Sequence, residues 1–522
     1  MAQSHRPLFV LPPMGRSYYF RMLACLVEFS VNQGNLPIIQ QLKLSGCLTS
    51  STHDYSPETE ELTELFLDCL EAEYGNRILI LKDREVTCSV TQTNFSPKPH
   101  FLKDILEIDA IPMSLRRSIY STASTTFLSA DEYLPFHTIE PFAIDAISVY
   151  NKTLYSCELA IANCEPDSII LFNGRSADQT AVLDTAKNVG LKWFCMERNS
   201  SPDSGFYFED FMIQDRISFQ QYVQSLKECS SDEEYREIIE WADSHLILQA
   251  GSVDYNPFLK SDSKSFYQED LESINLVPVF LSSLDEDLGA PGFEVAGLNT
   301  LLDRTIIICN SLTDLGFKPL IVIHPNSLNK SWNDLSLLHE KLSSSKLVTV
   351  WPWDLVSSYT LLNNCEFFLT WRSSLGLEGM AMGKKCFLLT DSYYDIVTDA
   401  EHLFEVNSKS FSSDTTGPNQ EMAKFCLYAI NNRVNLYSHM EENVRVCSLI
   451  ASLDSRAQKR VSTSRVFKRL NLGLRFLFRN SSLTPKEFLR FFQFFYLGTL
   501  GTAIIQWKLS EMKRKATLKS VT

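Results

Sequence analysis

The sequence predicts an α/β protein with two Rossmann-like βαβ domains that face a shared cleft, followed by a basic helical tail. Three observations lead to this fold class. Short apolar runs alternate with stretches of helical periodicity, which is typical of parallel sheets covered by helices on both faces. A polar segment at 250–270 interrupts the alternation, which then restarts. The length of 522 residues also exceeds the size at which a single core stops growing.

In the first part of the chain, four apolar runs are predicted strands and three periodic stretches are predicted helices. The strands are 8–12, 78–82, 168–172 and 192–196, and the helices are 18–31, 57–73 and 177–189. Stretches rich in Ser and Thr at 45–55 and 89–99 are predicted loops. A charged helix over 232–248 leads into the polar segment, which we interpret as a linker. We therefore assign an N-terminal acceptor domain to residues 1–265.

After the linker the same pattern predicts a second Rossmann-like domain over 266–455. Its strands are 277–281, 320–323, 347–351, 366–370 and 386–390, and its helices are 295–315, 355–364 and 375–382. No unit of about 20–50 residues repeats along the chain, which argues against a solenoid.

Residues 456–522 differ from the rest in charge. They contain fifteen Lys or Arg and two acids, whereas the whole chain carries a net charge of −15. The acidic body disfavours nucleic acid as a partner, and the basic tail favours anions. Bulky apolar side chains lie among these cations, most densely at 488–508. Two interpretations stay open: a basic amphipathic helix on an anionic membrane, or helices that pack back on the domains.

Composition also indicates where the protein works. The first apolar run, LFVL, is ended by Pro12 and Pro13 and is too short for a signal-peptide core. The thirteen cysteines show neither a CxxC pair nor the spacing of a zinc site. We therefore expect a reduced, metal-free chain in the cytoplasm, located on the inner face of the membrane if the tail binds lipid.

Ligands of open α/β sheets bind beyond the carboxyl ends of the strands, so the residues after each apolar run are the candidate site. After EFFLT come Arg372, Ser373 and Ser374 and then a helix, whose free N–H groups suit a phosphate. The alternative interpretation is ordinary helix capping. With Ser374 as the cap, the capping-box position holds Leu377, which leaves Glu378 available to a ribose hydroxyl pair.

Two other strand ends of the second domain carry polar side chains. His324 and Asn326 follow LIVI, and a His at this place can donate to a phosphate or to a base carbonyl. Ser283 follows VPVFL, with three acids at 285–287. Such acids can hold a divalent metal, but a solvated loop is their commoner use, and we expect no metal here.

In the first domain, Asn173 and Arg175 follow SIILF, and Glu197 follows KWFCM. The planar guanidinium of Arg175 suits a phosphate or an acceptor carboxylate. Glu197 and Asp178 are the candidate general bases toward an acceptor hydroxyl. A surface ion pair is the alternative interpretation of Glu197.

The order of motifs resembles a known family. FNGR, ER, FLSSLDE, IHPN, WDLVSSYTLL and TWRSSLGLEGMAMGKK follow one another as in bacterial capsule and surface-polysaccharide biosynthesis proteins with a GT-B glycosyltransferase-like fold. The resemblance covers about 168–394. It implies that His324, Ser373 and Ser374 hold the nucleotide of a CMP- or UDP-sugar and that Glu378 binds its ribose. One departure is Val322, where relatives often have an Arg at the phosphate, and we expect Arg372 to take the place of that Arg at the donor phosphate.

This resemblance implies a metal-independent glycosyltransferase without a cofactor. It would transfer a sugar from a nucleotide-activated donor in the second domain to a surface or capsular polysaccharide, bound as a glycan or lipid-linked acceptor in the first. Three alternatives stay open. They are a nucleotide-sugar 2-epimerase-like enzyme, a CDP-alcohol phosphotransferase and a non-catalytic nucleotide-sugar-binding scaffold of polysaccharide assembly.

Overall fold

The computed structural model describes most of the chain up to residue 431. The described residues are 5–12, 17–44, 57–82, 95, 98–127, 130, 132–198, 205–212, 215–251, 275–282, 284, 296–324, 327, 332–351, 356–395, 398, 401–403 and 419–431. We call residues 5–251 the first half and residues 275–431 the second half. The predicted tail at 456–522 and the predicted boundary at 265/266 lie outside the described residues.

The first half contains a six-stranded sheet. Its strands are β1 (Pro7–Leu11), β2 (Ile38–Gln41), β3 (Leu79–Lys82), β4 (Ser168–Phe172), β5 (Lys192–Arg198) and β6 (Gly205–Glu209). They lie in the order β3-β2-β1-β4-β5-β6. The strands β1 to β5 are parallel, and β6 is antiparallel to β5 at the edge.

The second half contains a six-stranded sheet that is parallel throughout. Its strands are β7 (Leu276–Phe280), β8 (Lys318–Val322), β9 (Val348–Val350), β10 (Phe367–Thr370), β11 (Lys385–Leu388) and β12 (Glu401–His402). Their order is β12-β11-β10-β7-β8-β9. Counted within each half, both sheets have the doubly wound strand order. The predicted pair of Rossmann-like βαβ units is therefore confirmed.

Helices cover both sheets. They are α1 (Ser17–Asn32), α2 (Pro57–Tyr74), α3 (Met113–Phe127), α4 (Phe136–Cys164), α5 (Ala177–Val189), α6 (Arg216–Cys229), α7 (Asp232–Gly251), α8 (Leu298–Asp314), α9 (Trp332–Ser345), α10 (Ser358–Asn363), α11 (Ser374–Ala381) and α12 (Gln420–Asn431). Every strand and helix predicted from the sequence is present within a few residues. The sequence prediction lacked β2, β6, β12, α3, α4, α6, α9 and α12. None of the described helices has the length and apolar character needed to cross a bilayer.

The central strands explain the apolar runs. Every residue of β1 and of β7 is buried, as expected for strands covered on both faces. In each sheet the strand order reverses next to these strands, between β1 and β4 and between β7 and β10. Crevices at such switch points are where doubly wound sheets bind ligands.

The two halves share apolar packing. Helices α6 and α7 follow the first sheet along the chain but pack on α12 of the second half, with Phe219, Ile238 and Phe425 in one buried cluster. Buried polar contacts join the halves at a second place. There Glu132 accepts from the hydroxyl of Thr300 at 2.6 Å, at the start of α8.

Candidate functional site

A cleft lies at the carboxyl edge of the second sheet. The ends of β7, β8 and β9 form one side, and the N-terminal residues of α10 and α11 form the other. Three polar side chains line it: His324 after β8, Ser358 at the start of α10, and Ser373 before α11. Apolar side chains, among them Trp351 and Leu375, complete its walls. The cleft therefore includes the switch point of the sheet and brings two of the predicted donor-binding residues together.

The Ser pair starts α11, but the cap is one residue earlier than we predicted. Ser373 is the N-cap, and its Oγ accepts from the N–H of Leu375 at 3.2 Å. Ser374 is the first helical residue and is exposed. The capping-box position is thus Gly376, which has no side chain to return a hydrogen bond. The assignment of the cap to Ser374 was wrong, because the strand β10 ends early enough for Ser373 to adopt the extended cap conformation.

The segment after β11 holds Ser373 in place. The hydroxyl of Tyr394 donates to the carbonyl oxygen of Ser373 at 2.8 Å. The guanidinium of Arg372 is buried and donates to the carbonyl oxygen of Asp391 at 3.0 Å and to the hydroxyl of Thr390 at 3.3 Å. Arg372 was predicted at a donor phosphate. The structure instead directs these two donors to the segment at 390–391, and Arg372 does not line the cleft.

The two glycines of α11 admit neighbouring side chains. A Cβ at Gly376 would lie 2.1 Å from the hydroxyl oxygen of Tyr394, and a Cβ at Gly379 would lie 2.5 Å from the ring of Phe368. Such distances are far below normal carbon contacts. The close neighbours of these glycines thus include strand β10 and the segment after β11.

Glu378 contacts the helix that precedes β10. It accepts a hydrogen bond from the hydroxyl of Tyr359 in α10. Burial raises the pKa of Glu378 to about 7, even though the hydrogen bond from Tyr359 favours the charged form. Burial and the neighbouring carboxylate also raise the pKa of Tyr359. This contact joins α10 to α11, the two helices whose first turns border the cleft. Glu378 itself does not line the cleft, and its contact with a ribose stays a prediction.

His324 is partly exposed at the end of β8. Its carbonyl oxygen accepts from the N–H of Ser327 at 2.9 Å, which turns the chain directly after the strand. Asn326, Ser283 and the acids at 285–287 lie outside the described residues.

Three predicted residues of the first half form one cluster at the carboxyl ends of β4 and β5. Asn173 donates through its amide nitrogen to Glu197 and accepts from Nε of Arg175 at 2.6 Å. The strand β5 extends to Arg198, so Glu197 lies inside it, whereas we expected it to follow the strand. Asn173 has a left-handed backbone with φ 60°, which Asn tolerates better than most residues.

Asp178, the other candidate base, is in the first turn of α5 and is 0% exposed. Burial raises its pKa, against the opposing effect of hydrogen bonds with its neighbours Ser176 and Gln179. Because no part of Asp178 reaches the surface, Glu197 is better placed of the two to contact an acceptor. The role of both as bases stays a prediction.

One group of described residues has the composition of a metal site. The side chains of Asp391, Asp395 and His402 present ligand atoms within 4.8 Å of one another. However, Arg216 of α6 contacts both carboxylate oxygens of Asp395, at 2.6 and 3.0 Å. Although burial alone would raise the pKa of Asp395, hydrogen bonds with His402 and Arg216 hold it below its usual value. The guanidinium already supplies the positive charge that a cation would bring, so we interpret the group as an ion-pair network.

Sequence reasoning missed Ser358, Tyr359 and Tyr394. The first two belong to the motif WDLVSSYTLL, whose three consecutive hydroxyl side chains, SSY, could have been recognised as candidate site residues. For Tyr394 there was no local signal, because it is 21 residues from the Ser373 carbonyl that it contacts.

Comparisons with known proteins add little to this geometry. No family model and no curated protein matches the sequence. Among solved structures, KpsC of Thermosulfurimonas dismutans, a beta Kdo 2,4 transferase, is 13% identical, covers 50% of this chain and 79% of its own, and has a TM-score of 0.33. A UDP-GlcNAc 2-epimerase of Methanocaldococcus jannaschii in complex with UDP-GlcNAc and UDP is 12% identical, covers 82% of this chain and 94% of its own, and has a TM-score of 0.28. Similarities of this size carry no argument about function, and the fold class rests on the strand order.

Proposed function

We propose that the chain is a glycosyltransferase that takes a sugar from a CMP- or UDP-activated donor and transfers it to a surface or capsular polysaccharide. One observation carries the proposal: His324, Ser358 and Ser373 line a single cleft at the carboxyl edge of the second sheet. This edge is where doubly wound sheets hold nucleotides.

The start of α11 suits the donor phosphate. Its backbone N–H groups and the helix dipole favour negative charge. The Oγ of Ser373 accepts from Leu375, which leaves its hydroxyl proton to donate to a phosphate oxygen. His324 supplies a second donor from the neighbouring strand end. These groups would offset the charge that grows on the phosphate as the sugar leaves, so we propose that no metal is required.

The acceptor would bind at the first sheet. There Glu197 would remove the proton from the attacking hydroxyl as a general base. Asn173 holds this carboxylate by a hydrogen bond, so its orientation is fixed before an acceptor arrives. In the second half, Ser374, Asn326 and Glu378 are proposed to contact the nucleotide, with Glu378 on the ribose. Ser283 is proposed to border the same cleft.

The first experiment is calorimetric titration of the full chain with CMP, UDP and their sugar conjugates. We expect one nucleotide to bind and the double variant Ser373→Ala, Ser374→Ala to bind it at least about tenfold more weakly. The double variant Ser344→Ala, Ser345→Ala is the matched control, because those hydroxyls donate to helix carbonyls in α9. Failure of every nucleotide to bind, or equal binding by the first variant, would refute the proposal.

Product analysis separates transfer from the alternatives. With a labelled donor sugar, a transferase moves the label to an acceptor glycan, whereas a 2-epimerase converts the donor with no acceptor present. A CDP-alcohol phosphotransferase would move a phosphoalcohol from a CDP-linked donor, and a scaffold would bind without turnover. The cluster of Asn173, Arg175 and Glu197 at the other sheet favours the transferase, because a 2-epimerase has no second substrate to place there.

A further inference from the structure

The guanidinium of Arg175 is held at the carboxyl edge of the first sheet without a carboxylate partner. Its Nε donates to Oδ1 of Asn173 at 2.6 Å. Its Nη1 is enclosed and has no hydrogen-bond partner, and no ion pair joins Arg175 to a carboxylate, in the part of the chain that the structure describes. An enclosed donor of a charged group that lacks an acceptor is costly. A buried or half-buried Arg in this state needs an explanation.

Asn173 explains why the nearby carboxylate of Glu197 does not form an ion pair with Arg175. Its amide lies between Arg175 and Glu197, accepting from the first and donating to the second. Because a guanidinium can only donate and a carboxylate can only accept, these partners fix which end of the amide faces which group. The amide keeps the two opposite charges apart, although a direct ion pair would be the default for such neighbours.

The backbone around Asn173 is built for this placement. Asn173 and Gly174 both have left-handed φ angles, 60° and 77°. A Cβ at Gly174 would lie 2.4 Å from the sulfur of Met212, so a larger residue would have to displace that side chain and adopt the left-handed backbone. The N–H of Asn173 donates to the carbonyl oxygen of Met196, which ties the turn to β5 next to Glu197. The turn therefore brings Arg175 and Glu197 to one edge with the amide between them.

We infer that Arg175, Asn173 and Glu197 form a subsite for an acceptor sugar that carries an anionic group, a carboxylate or a phosphate. The guanidinium of Arg175 would bind such a group through charge-assisted hydrogen bonds. Glu197 accepts from a hydroxyl of the same sugar. Asn173 is the positioning residue that keeps the guanidinium from being neutralised. That this sugar is the acceptor rests on the proposed function, whereas the binding of a charged sugar is inferred from this cluster alone.

Calorimetric titration of the full chain with three probes tests the inference. Glucuronate carries a carboxylate, glucose 6-phosphate carries a phosphate, and glucose is neutral. We expect at least one charged sugar to bind about tenfold or more tightly than glucose, and the preferred one identifies the anionic group. Equal binding of glucose and both charged sugars would overturn the inference. So would equal binding of a charged sugar and of the bare anion, acetate or inorganic phosphate, because the sugar would then contribute nothing.

Variants assign the binding to Arg175. We expect Arg175→Gln to weaken the charged sugar about tenfold or more and Arg175→Lys to recover part of the loss. Arg77→Gln is the matched control, because Arg77 is an exposed residue at the opposite, amino-terminal edge of the same sheet, just before β3. Unchanged binding by Arg175→Gln, or an equal loss in both variants, would contradict the inference.

Asn173→Asp provides a test that does not remove the Arg. Asp tolerates the left-handed backbone and has the size of Asn, so the turn is kept. The new carboxylate would neutralise Arg175, and it would also lie beside Glu197, which loses its hydrogen bond from the Asn173 amide. We expect charged-sugar binding to fall, and the unfolding midpoint of the same variant measures how much stability the contact with Glu197 costs. Retained binding would show that the spacer is not needed. Nucleotide binding is measured on the same samples. If charged sugars bind through Arg175 but no nucleotide binds, only the proposed function is refuted. If a nucleotide binds but no charged sugar binds through Arg175, only this subsite is refuted.

Discussion

The carboxyl group of Glu378 works against the stability of the fold at neutral pH. It is partly buried on α11 and faces α10, and burial raises its pKa to about 7 from the ordinary value of 4.5. A charged carboxylate at this position lowers the free energy of unfolding. Packing does not require it, because an amide of the same shape would accept the Tyr359 hydrogen bond equally well. Costs of this kind are typical of binding and catalytic sites.

The pH dependence of unfolding tests this property of Glu378. Because its folded pKa is higher than its unfolded pKa, its contribution to stability is complete below about pH 4 and is lost as the pH rises through about 7. We expect Glu378→Gln to depend less on pH in this range. At pH 8 it should be more stable than the wild type by roughly 3 kcal/mol in urea unfolding.

Glu366→Gln is the control for this prediction, because Glu366 is an exposed residue just before β10. It should show the wild-type pH dependence. A Glu378→Gln variant that is less stable than the wild type at pH 8 would contradict the assignment of a raised pKa. If Glu378 binds the ribose as proposed, the same variant gains stability but loses nucleotide affinity.

At the scale of elements, α11 depends on close contact with the segment after β11. The hydroxyl of Tyr394 occupies the space that a side chain at Gly376 would need. We expect Gly376→Ala to destabilise the protein by about 1–3 kcal/mol in urea unfolding, although Ala is the better helix former. Tyr394→Phe alone should cost about 1 kcal/mol, because the hydrogen bond to Ser373 is lost.

The double variant is the sharper measurement. Gly376→Ala with Tyr394→Phe should be less destabilised than the sum of the two single changes, because removing the hydroxyl removes the shortest contact. A contact of 2.8 Å to Thr370 remains, so the relief is partial. Gly379→Ala combined with Tyr394→Phe is the control and should be additive, since Gly379 faces Phe368 and Leu362. Additive losses in both pairs would show that Tyr394 does not set the size of residue 376.

Some of the elements that apolar runs could not predict have polar sequences. Helix α3 is rich in Ser and Thr, and hydroxyls there donate back to carbonyls one turn earlier, as from Thr122 to Ser118 at 2.7 Å and from Ser124 to Tyr120 at 3.0 Å. Strand β2 ends in Gln40 and Gln41, both buried. Such polar groups are satisfied or enclosed only by the tertiary structure, so hydrophobicity along the chain does not reveal them.

The sequence predicted the candidate site correctly only for residues whose positions are determined by the ends of strands. His324 and Ser373 meet because the carboxyl ends of parallel strands share one edge, a rule that needs no knowledge of side-chain direction. The same rule brought Asn173 and Glu197 together. It does not tell which side chains turn inward. Arg372 and Asp178 were therefore predicted in contact with ligands, although the structure buries both.

At the scale of the whole molecule, an ion pair with a buried carboxylate joins the two halves. Arg216 starts α6, which follows the first sheet, and it contacts Asp395 in the segment that supports Ser373. Asp395 is 2% exposed and also accepts from Gln220 at 2.8 Å. A shift of α6 would thus reach the start of α11 through Asp395 and Tyr394, which are neighbours in the chain.

We expect Arg216→Gln to destabilise the protein by about 3–5 kcal/mol, because it leaves a buried carboxylate without its main cation. Asp395 has a pKa below its usual value, so its contribution to stability is present at neutral pH and is lost as the pH falls toward that lowered pKa. The difference between variant and wild type in urea unfolding should therefore shrink in acid.

Lys192→Gln is the matched control for this last prediction, because it also breaks one ion pair, that of Lys192 with Glu209. Both of those side chains are about half exposed, at 49% and 51%, and surface pairs of this kind contribute little. We expect its stability to change by less than about 1 kcal/mol. Equal losses in the two variants would mean that the contact between Arg216 and Asp395 is no stronger than a surface pair. Nucleotide binding weakened by Arg216→Gln but not by Lys192→Gln would show that α6 also governs the cleft.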